Sequence, residues 1–135
     1  MSLDIGLAAA RGLPLSAAEP GVSFDDDENG GYYWFLYPFF HRLAEATGQY
    51  IDLYGVAEFR GADVQALHDA LLEARASVMA QPERWSVHVG TQTAPTRQAI
   101  FKEVERSGFV ALIDRFLAVV ERSKATGLPV VCFGD

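Results

Sequence analysis

The stretch closest to a metal-binding motif is Asp25-Asp26-Asp27-Glu28-Asn29-Gly30. Asp25, Asp27 and Asn29 stand at alternate positions ahead of Gly30, as in the first half of a calcium loop. There the alternation lets successive side-chain oxygens converge on one hard cation, and the glycine makes the sharp turn. The bidentate acid that would close such a loop belongs at its twelfth position, and Leu36 stands there. Pro20 and Gly21 do not supply the entering helix either. The stretch reads as a solvated acidic loop ended by a Gly-Gly turn, and neither a metal nor any other cofactor is expected.

The remaining chemistry-bearing side chains are scattered. His41, His68 and His88 show no i, i+4 spacing of a helical zinc site, and each reads as a surface or structural histidine. Cys132 sits in an apolar terminal stretch, which predicts a buried, unreactive thiol rather than a nucleophile. There is no Gly-x-Ser-x-Gly elbow, no phosphate loop ending in Lys and no dinucleotide fingerprint. No catalytic residue is assigned.

Seven aromatic residues crowd one short segment: Tyr32, Tyr33, Trp34, Phe35, Tyr37, Phe39 and Phe40. Consecutive helical residues point around the whole circumference, so one helix cannot send all seven into one core. Either the segment is buried on several sides or part of it is exposed. Core anchoring is the preferred reading, with Tyr32, Tyr33 and Trp34 as candidate partner-binding side chains, because Tyr and Trp are enriched at interface hot spots.

These side chains must be positioned by a chain of 135 residues, half of them apolar, which suits one domain with its own core. A single cysteine fits a reducing, cytoplasmic setting, and no apolar run approaches the roughly 20 residues that span a bilayer. The net charge is −7. Through Gly31 six acids face Arg11 alone, a net of −5, and the rest of the chain has twelve acids against ten bases, a net of −2. Such a field repels nucleic acid and anionic membranes and steers towards basic partners. Asp25, Asp26, Asp27 and Glu28 are therefore candidate partner-binding residues as well, with plain solubility as the alternative.

Leu3, Ile5 and Leu7 alternate with polar or small residues and predict a short strand, and residues 10–31 read as a long acidic loop. Leu36, Phe39, Phe40 and Leu43 share a helical face that Gly48 ends. Tyr50 to Tyr54 reads as a strand, with a second extended piece between Gly55 and Gly61. Val64, Leu67, Leu71, Leu72 and Val78 form the stripe of a second helix. Trp85, Val87 and Val89 alternate as a strand whose hairpin partner is Ile100 to Val104. Ser107 is placed to cap a third helix with the stripe Phe109, Leu112, Ile113, Phe116, Leu117 and Val120, closed by Gly127 and Pro129. Residues 130–133 form a last strand. The pattern predicts an α+β fold: a single mixed or antiparallel sheet with about three helices packed against it.

On its aromatic helix, on Ile51-Asp52-Leu53-Tyr54-Gly55, on Trp85-Ser86-Val87-His88-Val89-Gly90 and on its Pro129-to-Asp135 ending, the chain resembles the small acidic immunity proteins encoded beside bacterial polymorphic toxins. The resemblance implies stoichiometric binding of a cognate toxin, an acidic surface against a basic face, rather than turnover, and it assigns no site residue. The expectation is a cytoplasmic, non-enzymatic module for a basic protein partner. A small hydrolase or ligand-binding enzyme using a His/carboxylate site, and a homodimer built through the aromatic helix, are the alternatives.

Overall fold

The computed structural model describes residues 3–8, 21–24, 31–93 and 95–134. Strand β1 (Leu3–Leu7) buries Leu3, Ile5 and Leu7, the alternation read from the sequence. Its neighbours are β2 (Val22–Ser23), a short strand inside what reads in the sequence as loop, and the last strand of the chain (Val130–Gly134). That last strand lies centrally and also pairs antiparallel with β3 (Val56–Phe59). Its central place explains its composition, because Val130, Val131 and Cys132 are all buried.

Helix α1 (Gly31–Thr47) carries Pro38 inside it. Pro38 is exposed and has no N–H to give to the Trp34 carbonyl, so that carbonyl loses its intrahelical donor. The helix ends at Gly48, whose φ of 76° puts it in the left-handed region, with its N–H bonded to the Ala44 carbonyl at 2.8 Å.

Tyr50 to Tyr54 is not a strand. The Asp52 carboxylate accepts the Tyr54 N–H at 3.0 Å, a local turn that competes with any ladder, and the Ile51 carbonyl is taken by the Tyr33 hydroxyl at 2.9 Å. Ile51 and Leu53 are buried all the same, so the apolar alternation there marks burial without strand pairing. The extended piece that follows is β3.

Helix α2 (Ala62–Met79) buries Val64, Leu67, Leu71, Ala74 and Val78, while Leu72 is 46% exposed because it lies about 100° round the helix from Leu71. Strands β4 (Arg84–Gln92) and β5 (Gln98–Glu105) form a hairpin with a bulge between His88 and Gly90. The chain passes straight from β5 into α3 (Arg106–Thr126), so Ser107 is already helical and does not cap. The N-cap is Glu105, with no side-chain bond, and the Arg106 N–H is satisfied by the Glu83 carbonyl at 2.9 Å. Phe109, Leu112, Ile113, Phe116, Val119 and Val120 are buried along α3, and Leu117 only in part. The final strand is then β6.

The architecture is α+β, with three helices against antiparallel strands. The strands divide between a four-stranded sheet of order β2-β1-β6-β3 and the separate β4-β5 hairpin, where the sequence pattern predicts one sheet. The reason lies in contacts outside β4 itself. The outer edge of β3 is closed where Gln49 Oε1 accepts the Glu58 N–H at 2.9 Å, and β4 rests on α1 and α3 instead. Helix α3 covers β1, β2 and β6, α2 packs on β3 and α3, and Arg75 clasps Asp114 across the last pair at 2.7 Å.

Candidate functional site

Three features meet where α1, the end of α2 and β4 converge. Trp34, Phe35, Pro38 and Phe39 come from α1, Ser77 and Gln81 from α2 and its exit, and Trp85, Ser86, Val87 and His88 from β4. Together they border an open groove of about 550 Å³. The aromatic segment produces it because it is one helix with too many large rings for one face. Tyr33, Leu36, Phe40 and Leu43 fill the core. Phe35 and Phe39, about 100° or more away round the helix, are half-buried, and Trp34 is 38% exposed.

The groove walls are fixed by ring contacts. Phe35 meets Trp85 edge-on at 5.5 Å and Phe109 edge-on at 5.3 Å, and it lies 6.3 Å from Phe39. The Arg42 guanidinium covers the Phe39 ring at 5.0 Å. Trp34 packs against Tyr33 at 5.3 Å and Tyr37 at 5.4 Å. Neither indole N–H, of Trp34 or of Trp85, has a hydrogen-bond partner among the described residues. Two large apolar surfaces, each carrying an available donor, border one groove.

The candidate side chains separate. Tyr33 is a core residue; burial pushes its phenol above the ordinary value, and its hydroxyl holds the Ile51 carbonyl. Tyr32 is half-buried with its ring 4.7 Å from Phe109. Of the three, only Trp34 reaches the groove. Asp25, Asp26, Asp27 and Glu28 lie outside the described residues.

The histidines stand apart from one another. His41 is 3.4 Å from Glu45, His68 lies between Asp69 and Glu121 at 3.7 and 3.3 Å, and His88 contacts Thr91 and the Phe101 ring. Cys132 is buried, and desolvation pushes its thiol well above the usual value, which removes it as a nucleophile at neutral pH.

Sequence reading missed Ser77, Gln81, Ser86 and Phe39 as groove residues, and read Trp85 as part of the alternation of a strand. The signal that could have found the groove was the surplus of rings on α1 itself. No protein-family model, characterised protein or solved structure matches the chain.

Proposed function

We propose that this chain is a cytoplasmic, non-enzymatic binding protein, an immunity-like inhibitor that occupies a basic protein partner such as a cognate toxin. The observation that carries the reading is the groove in which Trp34 and Trp85, whose indole donors have no hydrogen-bond partner among the described residues, stand beside half-buried Phe35 and Phe39. Large aromatic side chains with one polar atom are the usual anchors of protein interfaces, and they act when a partner desolvates them. The net charge of −7 supplies long-range attraction to a basic surface, with Asp25, Asp26, Asp27 and Glu28 as its densest part.

The test is co-expression with each polypeptide encoded beside it in its native genome, followed by growth rescue and calorimetry on the purified pair. The expected result is one toxic neighbour, neutralised in a one-to-one complex, with Trp34→Ala weakening the complex by about 2 kcal/mol or more. A set of neighbours containing no toxic polypeptide, or a complex indifferent to Trp34→Ala, would sink the reading.

A further inference from the structure

The β4-β5 hairpin forms a sheet of its own, so the outer edge of β4 pairs with no other strand among the described residues. The phase of the ladder fixes what that edge offers. The Arg106 N–H bonds the Glu83 carbonyl, and in an antiparallel pair bonded and non-bonded positions alternate. Trp85 and Val87, opposite Val104 and Lys102, therefore turn their backbone groups towards β5. Arg84, Ser86 and His88 turn theirs outward. The bulge after His88 ends this phase, leaving a regular edge over residues 84–88, roughly 17 Å long at about 3.4 Å per residue.

The two edges of the four-stranded sheet are blunted, while the outer edge of β5, like that of β4, pairs with no other strand among the described residues. The Gln49 side chain closes the Glu58 N–H on β3, and β2 is only two residues long. The β4 edge is instead bordered by the aromatic groove, since Trp85, Ser86, Val87 and His88 are the β4 residues that line it.

The two faces at this edge differ in chemistry. Trp85 and Val87 share the groove face, and Val87 is buried. Arg84, Ser86 and His88 share the opposite face with Phe101, Glu103 and Glu105. There Arg84 is held by Glu105 at 3.0 Å and Glu103 at 3.6 Å, so this face carries one acid more than it has bases. The Arg106 guanidinium keeps its charge but donates to the Gln81 carbonyl at 2.9 Å, at the exit of α2 beside the groove rather than against Glu103 and Glu105.

We infer that the β4 edge takes up an extended segment of a basic partner protein as an added antiparallel or parallel strand. Main-chain hydrogen bonds form at Ser86 and His88, apolar side chains at every second position enter the groove against Trp34 and Trp85, and the intervening positions carry Lys or Arg facing the acidic surplus. The inference rests on the binding reading above and specifies how binding is made.

The experiment selects twelve-residue peptides from a random phage-displayed library on the full chain and measures their affinities for three proteins: unsubstituted, Trp34→Ala and Ser86→Pro. Ser86→Pro removes an outward N–H and places a ring on the free edge without breaking a bond to β5. The expected peptides alternate apolar and basic residues, and both substitutions weaken them by about tenfold or more. N-methylation of the peptide at alternate positions carries the same test without altering the protein, should Ser86→Pro fail to fold.

Binding that Trp34→Ala weakens but that Ser86→Pro and N-methylation leave unchanged overturns strand addition while the binding reading stands. Peptides indifferent to every change place their site elsewhere and overturn it too. A library that yields no binder overturns strand addition, and the fate of the binding reading is then decided by the complex with a neighbouring gene product.

Discussion

The rings of Trp85 and Phe109 run parallel, their planes 5° apart and their centroids 6.1 Å apart. This contact joins β4 to the first turns of α3 and sets the depth at which the hairpin sits on the helices. A two-stranded hairpin is marginal by itself, so its order depends on such docking.

Phe109→Ala is expected to lower unfolding stability by about 3–5 kcal/mol, since the ring is fully buried between Tyr32, Phe35 and Trp85. Phe116→Ala should cost about as much through its own buried site. Urea denaturation measures both. Only Phe109→Ala should also raise amide exchange along β4 and β5, because of these two rings Phe109 is the one stacked on Trp85 of the hairpin. Equal hairpin protection in the two variants would show that the stack does not anchor it.

Gly134→Ala is expected to destabilise the protein despite its place near the end of β6. A β-carbon there would collide with the backbone of Leu53 and the Asp52 carbonyl, which pack directly against it, and backbone cannot move aside as a flexible side chain can. Gly127→Ala should cost about 1 kcal/mol for a different reason, its φ of 76°. Thermal midpoints order the two. Gly134→Ala as tolerant as a surface change would place the 50–54 loop wrongly.

Alkaline pH should weaken the fold in a defined window. Burial raises the Tyr33 and Tyr50 phenols above 10.0 and the Cys132 thiol above 9.0, their ordinary values. A group whose folded pKa is raised contributes stability that is full below the unfolded pKa and is lost as pH rises towards the folded one. These three groups should therefore leave stability unchanged up to about pH 9 and lower it above. Urea midpoints between pH 8 and 11 read this, and Tyr33→Phe should flatten part of the decline above pH 10 while costing about 1 kcal/mol at pH 8 for the lost bond to Ile51. An unchanged alkaline slope in that variant would contradict the account.

Cys132 should resist a thiol reagent in the native protein and react on unfolding, because its thiol is buried and held protonated. Stoichiometric labelling within seconds at pH 8 without denaturant is the contrary result.

For the acidic segment the expectation concerns rate. Converting Asp25, Asp26 and Asp27 to Asn and Glu28 to Gln should slow association with a basic partner and flatten its salt dependence, with dissociation unchanged. Trp34→Ala should instead speed dissociation, since it removes an anchor. Stopped-flow measurements at two salt concentrations separate them, and association insensitive to all four amides would reduce the segment to a solubility feature.

The elements whose identity depends on their own residues are legible in the sequence. The stripes of α2 and α3, the alternation in β1 and β4, and the glycines after α1 and α3 all report a local period or a local backbone demand. The buried, inert state of Cys132 follows in the same way from an apolar terminal stretch. Pairing is different in kind. Whether Ile51 and Leu53 join a ladder was decided by the Tyr33 hydroxyl, 18 residues away, and by the Asp52 side chain, which took the backbone groups a ladder would need. Whether β4 joined the main sheet was decided by Gln49 at the β3 edge and by Phe109 beneath Trp85. The surplus of rings on α1 was visible in the sequence, but which ring stayed exposed was not. Trp34 borders the groove and Tyr33 is buried because packing against the 49–55 loop and the hairpin selected one face of the helix, and neither contact is local in the chain.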